Sequence, residues 1–184
     1  MSACKIATIT ALIFALGTPL AAQSPDRFRT GPVFEEFGPV ADVPDADVAI
    51  PEDASFHVAF DVARAAQDGQ LDRGFESAAR LINMHARAGV APMENRAAVV
   101  VHGAAVFDLL SAEGWAAHDR EDANGSAAMV REMLAHGVRF IVCGQSAAAQ
   151  GITADQLIEG VEMDLSAMTA HAKLQQRGFT VNPF

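Results

Sequence analysis

The stretch Val138-Arg139-Phe140-Ile141-Val142-Cys143-Gly144-Gln145-Ser146 decides how this chain of 184 residues folds. From Val138 to Cys143 it is apolar except for Arg139, the composition of a strand covered on both faces. Gly137 stands where a preceding helix must end, and Gly144 lets the backbone turn sharply after the strand. Ser146-Ala147-Ala148-Ala149 then reads as the start of a new helical turn. The cadence of helix, glycine and strand recurs at Gly89 and Gly178. Such alternation predicts crossover units, hence an α/β fold with a parallel sheet and helices on both faces.

Upstream, Phe56-His57-Val58-Ala59-Phe60-Asp61-Val62 has strand composition. The turn Asp68-Gly69 leads into an expected helix from Gln70 to Ala88, with Phe75, Ala79, Ile82 and Ala86 on one stripe. Ala97 to Gly103 is a second strand, continuously apolar up to His102. A short helix over Ala104 to Ser111, a polar loop at 112–123 and a helix ending at His136 are expected next. Asn124 or Ser126 caps that last helix, and Met129, Val130, Met133 and Leu134 face inward. Beyond Cys143, Thr153-x-x-Gln156 matches a capping box. A long helix over Val161 to Arg177, with Val161, Leu165, Met168 and Ala172 inward, precedes a final strand at Phe179 to Asn182.

The amino-terminal part differs. Residues 1–22 have the pattern of an export signal: Lys5, an apolar run from Ile6 to Leu16, and a small-residue site at Leu20-Ala21-Ala22. That run is too short for a bilayer, which needs about 20 apolar residues. Residues 23–55 hold five of the eight prolines and form an acidic arm, whose Phe34 and Phe37 are expected to dock on the domain. The division is therefore signal 1–22, arm 23–55 and α/β domain 56–184, and the protein is expected to be periplasmic or otherwise exported, with no stable membrane insertion once the signal is cut. A net charge of −10 with no Lys/Arg cluster excludes nucleic acid as a partner.

Cys143 and His102 both fall at the carboxyl ends of strands, where open parallel sheets gather functional groups. If the two strands are neighbours, the residues share one crevice. Gly103, Gly144, Gln145 and Ser146 complete the candidate site. Amides of Gln145, Ser146 and Ala147 turned toward the sulfur would stabilise a thiolate and make it nucleophilic. Free cysteine also serves as a small buried apolar side chain, and a strand-end histidine is commonly a hydrogen-bonded structural group. Both readings stand on spacing. The only other cysteine, Cys4, lies in the signal, so a mature chain has no disulfide. The six histidines are scattered and no glycine-rich phosphate loop occurs, so neither a metal nor a cofactor is expected.

The run 138–145, followed by Gly151-Ile152-Thr153, Leu157, Gly160-Val161 and the close Leu174-Gln175-Gln176-Arg177-Gly178-Phe179, resembles the DsrE/DsrF-like family, sulfur-relay proteins of the dissimilatory sulfite reductase type. The strand ending in His102-Gly103 looks like the family's exported branch. The resemblance covers about residues 56–184. It implies a three-layer α/β/α domain with a mostly parallel sheet of about four to five strands, assembled into homotrimers or homohexamers. It also implies that Cys143 carries sulfur as a persulfide between a donor and acceptor thiols. Two alternatives remain: a non-enzymatic oligomeric module binding a ligand or partner, with Cys143 structural, and monothiol thiol–disulfide exchange at Cys143-Gly144-Gln145-Ser146, formally C-x-x-S.

Overall fold

The computed structural model describes residues 27–51, 53–91 and 94–182. The expected export signal lies outside them. Two short strands, β1 (Phe28–Arg29) and β2 (Val40–Ala41), pair antiparallel in the arm. The domain follows as β3 (Phe56–Val62), α1 (Arg73–Arg87), β4 (Asn95–Val101), a 3₁₀ segment (Gly103–Leu109), α2 (Ala112–Ala117), α3 (Ala127–Ala135), β5 (Arg139–Cys143), α4 (Gly144–Ala149), β6 (Glu162–Asp164), α5 (Ala167–Gln176) and β7 (Thr180–Asn182). Five strands form one sheet in the order β6-β5-β4-β3-β7, all parallel.

The strand β4 lies at the centre, and Ala97 to Val101 are all buried. Its side chains alternate between two cores. Ala97, Val99 and Val101 join Phe60, Phe75, Phe140, Val142 and residues of α1 and α3 on one face. Ala98 and Val100 join Ala59, Ile141 and the α5 residues Ala170 and Leu174 on the other. The result is the three-layer α/β/α arrangement, with α5 forming the second helical layer.

Several boundaries differ from the pattern-based expectation. The first helix begins at Arg73 rather than Gln70, because Asp72 accepts from the Gly74 and Phe75 amides at 2.7 and 3.1 Å and so caps it. The loop expected at 112–123 contains α2, whose cap Ser111 accepts from the Gly114 amide. Of the two expected caps, Asn124 Oδ1 accepts from the Ser126 amide at 3.0 Å just before α3, whereas Ser126 makes no side-chain cap bond. The Ser126 hydroxyl accepts from the Asp72 amide, and Asn124 donates to the carbonyls of Asp108 and Leu110. The largest difference is at Val161 to Arg177: Glu162–Asp164 adds to the sheet edge beside β5, and the helix starts only at Ala167. The stripe Val161, Leu165, Met168 and Ala172 is not its inner face. Leu165 and Met168 are 69% and 81% exposed, while Ala170 and Leu174 are buried. The capping box expected at the 154–156 turn is present, with the Gln156 side chain accepting from the Thr153 amide at 3.0 Å.

The arm is bolted to the domain. Phe34 and Phe37 are buried and stack with centroids 5.0 Å apart. Asn83 of α1, fully buried, accepts from the amides of Val33 and Phe34 and donates to the carbonyls of Phe34, Phe37 and Gly38. One turn on, the Arg87 guanidinium donates to the carbonyls of Arg29, Thr30, Gly31 and Val40 and to the Asp42 carboxylate. An irregular, proline-rich segment cannot satisfy its own backbone, so these two side chains supply the missing partners. Replacing Asn83 by Leu strands several buried polar groups, each costing about 1–3 kcal/mol. Urea denaturation should show a loss of about 3 kcal/mol or more; a loss under about 1 kcal/mol would mean that the arm is not pinned there.

Near the start of α1 two buried carboxyl groups meet, Asp72 and Asp108. Burial raises both above the ordinary carboxyl range, Asp108 to about 7, with the charge of Asp72 adding to its shift. Asp72 Oδ2 has no hydrogen-bond partner among the described residues, and a proton kept on Asp108 is the one its neighbouring carboxyl can offer it. Asp108 Oδ2 in turn accepts from the Ala66 amide at 2.9 Å. Between about pH 4 and 7 the folded chain retains a proton that the unfolded chain releases, so stability falls as pH rises through that window and levels off above it. Asp108→Asn keeps an acceptor for Ala66 and a donor for Asp72. Its denaturation midpoint should vary less over this window, and at pH 8 it should exceed the parent in stability by roughly 2 kcal/mol or more.

Candidate functional site

The site forms where β3, β4 and β5 end. Because β4 and β5 are adjacent and parallel, with Val101 opposite Val142, the next residues His102 and Cys143 come side by side. Both continue an alternation that places Val100 and Ile141 in the core under α5, so both face that helix layer. The condition set by the sequence, that the two strands be neighbours, is thus met.

Glycine is demanded at both strand ends. A Cβ on Gly144 would lie 2.7 Å from the Asp164 carbonyl oxygen, because the chain leaving β6 crosses directly over the Cys143 turn. Gly103 has φ +56°, and a Cβ there would lie 2.8 Å from the Ala63 carbonyl oxygen, which accepts from the Ala104 and Ala105 amides. The Ser146 hydroxyl joins the two turns. It accepts from the Gly103 amide at 3.0 Å, leaving its own proton for the Cys143 sulfur.

Cys143 is buried, 6% exposed, at the junction of β5 and α4. Burial alone pushes its thiol up. The Ser146 hydroxyl and the amides of Ser146, Ala167 and Gln145 more than offset that and hold it below the ordinary cysteine value. The sulfur makes no short capping bond to its own helix, so these amides act as a cluster of dipoles around it. Of the expected donors, Gln145 contributes its amide while its residue stays exposed, and Ala167, from the start of α5, acts where Ala147 was expected.

Two groups escaped the sequence reading. Asp61, at the end of β3, receives Nε2 of His102 at 3.1 Å and Nε2 of His171, on α5, at 2.7 Å. Burial works against the Asp61 carboxylate, but the two imidazoles outweigh it and keep its pKa below the ordinary range. An ionised Asp61 accepting from both rings puts a proton on each Nε2 and leaves each Nδ1 to take a second. His171 Nδ1 is buried without a partner among the described residues. The signal for Asp61 was present: a lone carboxylate near the carboxyl end of a mostly apolar strand. His171 carried none, being one polar residue within a helix.

Asp61 also lines a cleft of about 780 Å3 bounded by residues 62–67 and 70–74, and Asp164, opposite Cys143 in register, pairs with Lys173 at 2.9 Å. Leu165 and Met168, on either side of Ala167 in the chain, are exposed. Among the described residues no cluster of His, Cys, Asp or Glu has the geometry of a metal centre, and no helix is long and apolar enough to cross a membrane.

The fold and site define a parallel α/β domain that places one thiol among amide and hydroxyl donors at a strand end. The model of the DsrE/DsrF-like family matches residues 57–183, and the chain belongs to that family. No curated protein matches it. Among solved structures, the chain is similar to a protein of unknown function from Methanobacterium thermoautotrophicum, 24% identical over 71% of this chain and 100% of that one, with a TM-score of 0.48.

The Ser146 hydroxyl is the nearest test of the electrostatics. Ser146→Ala removes one donor to the sulfur and the acceptor for Gly103, so the thiol should titrate at higher pH than in the parent. The rate of alkylation by iodoacetamide against pH reads this directly; coincident profiles would show that the hydroxyl does not act on the sulfur.

Proposed function

We propose that this protein is a sulfur carrier in which Cys143 forms a persulfide. The observation behind the proposal is the set of donors around Cys143: Ser146 and the amides of Gln145, Ser146 and Ala167 lower its pKa despite burial. The Cys143 thiolate attacks a sulfane sulfur, forming a new S–S bond while the donor leaves with the electron pair; from thiosulfate the leaving group is sulfite. An acceptor thiolate then attacks the outer sulfur and releases the Cys143 thiolate, so no outside oxidant or reductant is consumed. His102, oriented by Asp61 and adjacent to Cys143, supplies or accepts the proton that accompanies each exchange. The exposed Leu165 and Met168 suit contact with a macromolecular donor or acceptor. Export, on the signal-like residues 1–22, and assembly into trimers or hexamers, on family membership, belong to the same proposal.

One observation favours the alternative of a binding module with a structural cysteine: Cys143 is only 6% exposed. Intact-mass measurement after incubation with thiosulfate or polysulfide separates the two. The carrier should gain one sulfur atom, about 32 Da, lost on treatment with dithiothreitol and absent in Cys143→Ser. A chain that gains no mass and resists alkylation until unfolded is the module.

A further inference from the structure

The opposite end of the sheet holds a second cleft, of about 840 Å3, that wraps around the amino-terminal edge of the strands. We propose that it binds an organic oxyanion, an apolar body carrying one carboxylate, sulfonate or phosphate head. This inference does not depend on Cys143.

The cleft concentrates positive charge in a chain whose net charge is −10. Three of its lining residues are arginines: Arg96 on β4, Arg139 on β5 and Arg177 at the end of α5. Arg139 is already engaged, holding Glu162 through two hydrogen bonds of 2.8 and 2.7 Å. Arg96 and Arg177 form no ion pair among the described residues. Glu162 lies close enough to feel Arg177, yet its oxygens are committed to Arg139. Arg96 and Arg177 line one concave space, so an anion seated in it can meet two guanidinium groups. Guanidinium forks also match the planar oxygens of carboxylate, sulfonate and phosphate.

The rest of the lining supplies the apolar half. Phe179 packs against His57 at a centroid distance of 5.3 Å, and the buried Ile82 reaches the same space from α1. His57 lies directly opposite Arg96 in the β3–β4 register, so the sheet itself fixes the spacing of the ring pair and the first guanidinium. The volume falls within the usual range for small-molecule sites, roughly 300–1,000 Å3, with apolar walls and a few convergent polar groups.

Isothermal titration of the full chain with 2-naphthoate, naphthalene-2-sulfonate and the neutral 2-naphthylmethanol tests the proposal. One site per chain is expected for the two anions, at least tenfold tighter than for the alcohol and weaker at high salt. Arg96→Gln and Arg177→Gln should each weaken anion binding about tenfold, Arg177→Lys less so, and Cys143→Ser should leave it unchanged. Both arginines are exposed, so these variants should keep the parent's circular dichroism and melting behaviour. Absence of saturable binding, equal affinity for the alcohol, or indifference to both glutamine substitutions would overturn the assignment.

Discussion

The structure depends on one strand being covered from both sides. In β4, five consecutive residues, Ala97 to Val101, are excluded from solvent. A strand in that position must pair along both edges and carry a helical layer above and below. Parallel pairing with β3 and β5 then aligns the carboxyl ends of three strands on one rim. Asp61, His102 and Cys143 are brought together by that alignment, although they come from segments separated by about forty residues each.

The two helical layers are unequal, and the inequality shapes the site. One face carries the larger core under α1 and α3, with the arm fastened to the outside of α1 by Asn83 and Arg87. The other carries only the smaller core beneath α5. The start of α5 delivers the Ala167 amide to the sulfur, and its next turn delivers His171 to Asp61. Its end delivers Arg177 to the cleft at the far edge. A single ten-residue helix therefore serves both ends of the sheet.

The fold class was legible in the sequence because the glycine-punctuated alternation of helix and strand directly reports crossover connections. The strands Phe56–Val62 and Arg139–Cys143 announced themselves through apolar runs. The segment Glu162-Met163-Asp164 did not: two carboxylates in three residues carry no strand signal, and the stretch pairs because β5 offers it an unpaired edge. The stripe assigned to the last helix then pointed outward, since the three-residue strand shifts the phase of everything after it. The arm was readable only as docking. Its partner, Asn83, is a polar residue in the buried face of a helix, where periodicity expects an apolar one. At the site, Cys143 and the strand-end position of His102 were visible, as was the glycine at each turn. Asp61 was passed over as part of its strand, and His171 reaches the rim only through tertiary packing.

The Ser146 hydroxyl has one proton, and the Gly103 amide already fixes the direction in which that proton points. If Cys143 carries a second sulfur, as proposed, the negative charge shifts by one S–S bond, about 2 Å. The charge then leaves the reach of the donors that stabilised the bare thiolate. A laden chain would hold its cargo less tightly, in electrostatic terms, than an empty one holds its own anion. In the proposed role, the arrangement would favour unloading and the return of the chain to its empty state.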